Sequence, residues 1–190
     1  MSIQYCNLLF VIASLKNNTS AKLRPLRADD AGHLFHYLDD LSLETRARFG
    51  PHPFDRNTII NLCVYPPPGE WRFIAETIND SGIIAYAIIK KGYLLHDATR
   101  LSSYGLRLSD HSDCTFAPSV ADAWQSSGLG SKLFEYILEK ISRTGFTRII
   151  LWGGVQSDNI KALKLYLKYG FRMLGEFEYN GKNYDMIKEI

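Results

Sequence analysis

One stretch leaves few folds open to this chain. Cys114-Thr115-Phe116-Ala117 reads as a strand, a polar turn with glycines follows, and Lys132 to Thr144 reads as a helix. Leu129, Leu133, Ile137 and Ile141 mark the helix's buried stripe, widened by Phe134 and Leu138. Gly145 is placed to end that helix, and Thr147 to Trp152 is the continuous apolar run of a strand buried on both faces. A strand, a crossover helix and another strand make an α/β chain. The turn between the first two pieces, Val120 to Ser131, has no carboxylate after Asp122. A strand that enters such a turn and leaves as a helix presents unpaired N–H groups and the positive end of the helix dipole, which suits a phosphate or pyrophosphate.

The rest of the chain frames this crossover. Leu23 to Arg27 is a short strand with Pro25 marking an edge or a strand start, and Asp29 or Asp30 is placed to cap a helix over 31–41. Leu34, Tyr37, Leu38 and Leu41 fall on one face of it. Ser42 can cap a second helix over 43–49, stopped by Gly50-Pro51, and a third spans 57–65, ended by Pro66-Pro67-Pro68-Gly69. Residues 71–76 and 83–90 then form an antiparallel hairpin about Asn79-Asp80-Ser81-Gly82. Between 91 and 112 no period is legible; Tyr93-Leu94-Leu95 extends a strand in this reading. After Gly153-Gly154 a helix runs from Asn159 to Tyr169, capped by Ser157 or Asp158, and strands 171–179 and 184–189 join at Asn180-Gly181. The order β–ααα–ββ–β–α–β–α–β–β gives a mixed sheet with one crossover, not a doubly wound parallel one.

Composition removes several function classes. Twenty-two basic residues against 20 acidic ones give a net charge of +2, too balanced to argue for nucleic acid. The 11 Tyr and 10 Phe lack a basic stripe, so they read as packing. Three widely spaced cysteines, Cys6, Cys63 and Cys114, make neither a zinc site nor a disulfide framework, and His33 with His36 lacks further ligands, so no metal is expected. Leu8 to Ala13 is too short to span a bilayer and lacks the flanks of a signal peptide. Residues 1–20 are therefore read as an N-terminal extension or extra strand, with Asn17 to Ser20 as a linker, ahead of one domain over 21–190. A cytoplasmic setting without membrane or nucleic-acid partners follows; a homodimer is left open.

Gln125-x-x-Gly128-x-Gly130 is neither a Walker A loop nor a dinucleotide fingerprint. Taken alone, it could be a plain tight turn. A second motif supports it: Asn159-x-x-Ala162-x-x-x-Tyr166-x-x-x-Gly170-Phe171, with Asn159, Ala162 and Tyr166 near one helix face. With Leu23-Arg24-Pro25-Leu26-Arg27-x-Asp29-Asp30 ahead of them, these residues resemble the GNAT superfamily of acyl-coenzyme A-dependent N-acyltransferases over residues 21 to 190. Leu41 to Phe49 and Val120 to Gln125 look like the GNAT domains of bacterial protein-lysine acyltransferases. One departure stands out. That subgroup carries a glutamate on its fourth strand as a general base, and the nearest position here is Thr115.

The resemblance implies a largely antiparallel, twisted sheet flanked by helices and splayed between its fourth and fifth strands. It implies acetyl-CoA as co-substrate and an amine acceptor, either a small molecule or a protein lysine. Ser119 and Val120 would pair with the pantetheine arm, and the amides of Gln125, Ser126, Ser127, Gly128, Leu129, Gly130 and Ser131 would hold the pyrophosphate. Glycine at 128 and 130 permits close backbone approach. Asn159 would bind the cofactor arm, and Tyr166 would act as general acid on the leaving thiolate. Glu76 is the base suggested by position, ahead of Asp113 and His111, with Asp122 last. The alternative is a regulatory module that holds acyl-CoA without turnover.

Overall fold

Residues 10–16 and 18–190 are described by the computed structural model. Residues 1–9 of the expected extension, and Asn17 of the expected linker, lie outside them. The strands are β1 Val11–Ser14, β2 Ser20–Pro25, β3 Glu70–Thr77, β4 Ile83–Lys91, β5 Asp113–Val120, β6 Arg148–Leu151, β7 Val155–Gln156, β8 Arg172–Glu178 and β9 Lys182–Glu189. The α-helices are α1 Ala31–Asp39, α2 Leu43–Ala47, α3 Arg56–Val64, α4 Ala98–Ser103, α5 Leu129–Ile141 and α6 Ile160–Lys168. The fold is mixed α/β and mostly antiparallel, and it divides into two compact units. Among the described residues no helix is long and apolar enough to cross a membrane.

The first unit holds the described residues of Met1–Ile88 together with Pro118–Lys140. β1 pairs antiparallel with β2, Val11 opposite Leu23 and Ser14 opposite Ser20. β2 continues antiparallel onto β3, Ala21 opposite Thr77 and Pro25 opposite Phe73. Of the stretch expected to be a linker, Asn18 and Thr19 lie in the hairpin connection and Ser20 opens β2. Leu15 N–H donates to the Thr19 carbonyl at 2.9 Å, and Asn18 sits at φ 58°, a conformation asparagine tolerates better than most residues. Helix α1 buries Leu34, Tyr37 and Leu38, the face its spacing requires. Its expected carboxylate cap is not made. Asp30 bonds the Arg24 guanidinium at 2.6 and 2.7 Å and accepts from Arg27 N–H, so its oxygens serve the strand entry instead. Ser42 caps α2 and Asp55 caps α3, each accepting from the N–H three residues on. On α5, Leu129, Leu133, Phe134, Tyr136 and Ile137 are buried, with Tyr136 edge-on to Phe73.

The second unit holds Ile89–Ala117 and Ile141–Ile190. β5 and β6 are parallel, from Asp113 opposite Arg148 to Phe116 opposite Leu151. That register ends there, with Trp152 N–H on the Phe116 carbonyl, while β5 itself runs on to Val120. Gly153 and Gly154, at φ 64° and 74°, carry the chain into β7. β9 is antiparallel to β6, β7 and β8, and the β8–β9 turn is the Asn180-Gly181 expected, both at positive φ. The segment 91–112 departs from expectation. It holds no strand extension at Tyr93 to Leu95; a 3-10 turn at Leu95–Asp97 leads into α4. Leu101 of α4 is buried with Ile150 and Ile187, and Tyr104 occupies the space above Gly175, where a Cβ would lie 2.3 Å from its ring.

Candidate functional site

Within the first unit the sequence makes a turn that is unusual for what it withholds. After β5, Asp122–Trp124 form a 3-10 turn, Ser126 takes φ 64°, Gly128 takes φ 92°, and α5 begins at Leu129. Only glycine adopts the Gly128 conformation without strain. The Ser127 hydroxyl accepts from Leu129 N–H at 3.3 Å and donates to the Trp124 carbonyl at 2.7 Å, so it closes the helix start on itself. The remaining amides at the start of a helix have no carbonyl four residues back and sit at the positive end of its dipole. No acidic side chain lies in the first turn of α5. The expected donor Gln125 N–H is taken by the Asp122 carbonyl at 3.3 Å and Leu129 N–H by Ser127, so the part of the turn that could face a phosphate is the backbone about Gly128, where no Cβ stands and no acidic side chain follows.

Two supports hold this turn. The Asp122 carboxylate accepts from Ser42 N–H at 3.0 Å, the Ser42 hydroxyl at 2.8 Å and the Thr45 hydroxyl at 2.6 Å. Partial burial pushes this carboxyl up, but the Ser42 and Thr45 donors prevail and hold it below the usual carboxylate range. The Gln125 side-chain amide donates to the Thr45 hydroxyl at 3.3 Å and the Val120 carbonyl at 3.4 Å. Upstream, the Ser119 hydroxyl meets the Tyr37 hydroxyl at 2.5 Å, and Ala121 N–H donates to the Ile84 carbonyl at 2.9 Å. Ser119, Val120 and Gln125 to Ser131 thus form one continuous run in one unit. The sequence places Tyr37 and Ser42 in their helices but does not show that they and Thr45 support this turn, because their partners lie about 80 residues away.

Glu76 belongs to a different arrangement. It is buried on β3, its Oε1 bonds Lys22 Nζ at 2.7 Å, and its Oε2 accepts from Arg24 through both Nε, at 3.0 Å, and Nη2. Arg24 reaches Asp30 with the other edge of its guanidinium. Burial pushes the Glu76 carboxyl up, and the hydrogen bonds from Arg24 and Lys22 outweigh it, leaving the group below its ordinary value. A carboxylate held by two cations is a poor proton acceptor near neutral pH.

In the second unit the other candidates part company. Thr115 is buried and donates to the Gly92 carbonyl at 3.0 Å. Asp113 is buried against the Arg148 guanidinium and accepts from Ser109 N–H, while His111 is exposed in the turn before it. Asn159, rather than Ser157 or Asp158, is the N-cap of α6, its Oδ1 accepting from Ala162 N–H at 3.2 Å. Two turns on, Tyr166 is buried against Phe171 with ring centroids 5.2 Å apart. Burial pushes its phenol well above its ordinary value, so the O–H stays intact and can donate. Among the described residues no cluster of three or more His, Cys, Asp or Glu could hold a metal ion.

These features can be set beside known proteins. Residues 36–171 match the family model described as Acetyltransferase (GNAT) family. The chain is 31% identical over 72 residues to the spermine/spermidine N(1)-acetyltransferase of Bacillus subtilis, a match covering 37% of this chain and 45% of that one. It thus spans less than half the length of the curated relatives it matches. The GNAT domain of S. lividans PAT superposes with a TM-score of 0.77 at 20% identity, covering 98% of this chain and 100% of that one. Aminoglycoside acetyltransferase AAC(6')-Ib, solved in complex with coenzyme A, superposes at 0.64 with 19% identity over 89% of this chain and 94% of its own. At such identities the structures speak for the fold. Because the family model spans more than half of the sequence, the chain belongs to the GNAT family of acetyltransferases.

Proposed function

We propose that this protein transfers an acetyl group from acetyl-CoA to a primary amine of a small molecule or a protein lysine, by direct attack in a ternary complex. The observation that carries the reading is the start of α5, with Gly128 at φ 92° and no acidic side chain in its first turn. Its family uses acetyl-CoA as donor, and the turn after Gln125, whose own N–H is held by the Asp122 carbonyl, is assigned to the pyrophosphate about Gly128. Ser119 and Val120 are assigned to the pantetheine arm, and Asn159, with its amide nitrogen left over from capping, to the cofactor as well. In the reaction the neutral amine nitrogen bonds the acyl carbon, the carbon–sulfur bond breaks, Tyr166 O–H gives its proton to the leaving thiolate, and the proton the nitrogen sheds on becoming an amide restores the Tyr166 hydroxyl by way of water. Glu76 receives no proton-transfer role in this reading. Its two cations leave it structural, and the ammonium of the acceptor loses its proton to water.

A second reading, a module that binds acyl-CoA without turnover, is favoured by Thr115, which lies buried where the related subgroup carries a carboxylate. One pair of measurements tests both. Calorimetry with acetyl-CoA and with ATP should show binding of the first alone; no acetyl-CoA binding would refute the donor assignment. Thiol release over an amine panel led by spermidine, the acceptor class named for a relative, should then show turnover. Tight acetyl-CoA binding without thiol release from any amine would favour the second reading.

A further inference from the structure

The turn before α5 has donors but no cation. Between Asp122 and Ser131 there is no Lys or Arg, and Lys132 is engaged with Glu135 at 3.1 Å. A pyrophosphate with a ribose phosphate carries several negative charges, and amides alone leave much of that charge uncompensated. The same unit brings a lysine to the spot from far away in sequence. The β1–β2 hairpin lays its tip on the turn, with Lys16 N–H donating to the Ser127 carbonyl at 3.0 Å. The Lys16 side chain then runs across Gly128. A Cβ placed on that glycine would meet Lys16 Cγ at 3.5 Å, and Cδ and Cε at 3.8 Å. The ammonium is one bond beyond Cε, on an exposed side chain. Leu15, the neighbour, is buried, which fixes the hairpin end while its lysine stays solvated.

We infer that Lys16, carried on the β1–β2 hairpin, is a binding residue for the phosphates of the acyl-CoA donor. The inference rests on the reading of the turn given above. It gives the N-terminal hairpin a purpose: the hairpin's backbone clips Ser127 and its side chain supplies the positive charge that the turn lacks. The lysine is a point charge on a flexible stem, so it neutralises phosphate without dictating geometry.

The test is calorimetric, on the full chain, with acetyl-CoA and with S-acetylpantetheine, which shares the thioester arm but has no pyrophosphate. Lys16→Ala should weaken acetyl-CoA binding about tenfold at low salt and flatten its salt dependence. The same variant should bind S-acetylpantetheine as the wild type does, and Lys16→Arg should restore acetyl-CoA affinity. Wild-type affinity for acetyl-CoA in Lys16→Ala would overturn the inference. An equal loss for both ligands would overturn it too, because a charge acting on phosphate cannot weaken a ligand without one. Failure of the wild type to bind acetyl-CoA would instead refute the donor reading beneath it.

Discussion

Replacing Glu76 by Gln separates structure from chemistry most cleanly. Its side chain is 2% exposed, that of Arg24 is 6% exposed, and Lys22 approaches the other oxygen at 2.7 Å. Removing one partner of a buried ion pair costs about 3–5 kcal/mol, since the cation left behind is still out of water. Glutamine keeps the shape and one acceptor oxygen, and Arg24 keeps Asp30, so the lower end, about 3 kcal/mol, applies. For a chain of this length each kcal/mol lowers the melting temperature by roughly 2–4 °C, giving a fall of about 6–12 °C. The sign of the pH effect follows from the depressed carboxyl. The wild type has this contribution in full above the ordinary value of 4.5 and loses it as pH falls through the lower folded-state value. The variant should therefore lose most stability at neutral pH and converge on the wild type in acid. Calorimetric melts from pH 3 to 7 measure this (about 4 pH units bracket the window). Rates taken well below both transitions should show a kcat within a few fold of wild type. A melting temperature unchanged at pH 7 would refute the ion-pair argument. A folded variant with kcat down about a hundredfold or more would return Glu76 to the chemistry as a base.

Three further outcomes follow from the same geometry. Tyr166→Phe keeps the ring against Phe171 and removes the O–H, so kcat should fall by about 10² or more while acetyl-CoA affinity stays within twofold (roughly, by calorimetry); equal turnover would remove the acid role. Gly128→Val forces a branched side chain to φ 92°, a strain of about 1–3 kcal/mol, with its Cβ on the Lys16 stem. Acetyl-CoA affinity should drop about tenfold or more, and unchanged affinity would show that the phosphates bind elsewhere. Burial pushes the Cys63 thiol up to about 11 and the Cys114 thiol up to about 12, so neither should react with iodoacetamide in the native protein at pH 7.5 (about three and a half units below the lower value), and both should in denaturant; mass spectrometry of labelled peptides reads this directly.

What the sequence reveals here depends on the range of the interaction. Helix α5 is legible because Leu129, Leu133 and Ile137 repeat at the helical period and need only a sheet to cover them. Helix α4 is not, since Ala98–Ser103 buries only Leu101 and is held by Tyr104 over Gly175, some seventy residues on. The role of Asp30 misleads for a related reason. Locally it is a good cap, yet Arg24 outcompetes the helix for its oxygens once β2 turns that guanidinium inward. Glu76 looked available as a base because its cations sit on β2, brought opposite only by the Lys22–Glu76 register. Motif residues carry their spacing with them; partners across a sheet do not.

Asp122 shows how the two kinds of information combine at the turn. Read from the sequence, a carboxylate three residues before Gln125 opposes any anion bound at the start of α5. In the fold its oxygens face Ser42 and Thr45, whose three donors disperse the charge on the side that caps α2. Gln125, first residue of the motif, turns its amide into the same knot through Thr45. The acidic residue thus anchors the turn by its side chain, while the turn offers its backbone at Gly128 and, from the hairpin, the stem of Lys16. Charge of both signs meets one short loop, Asp122 bonded to Ser42 and Thr45 and Lys16 laid beside Gly128. The loop is thus tied to α2 by the Asp122 side chain and reaches α5 through the bare backbone of Gly128, a division of labour that neither its composition nor its motif expresses.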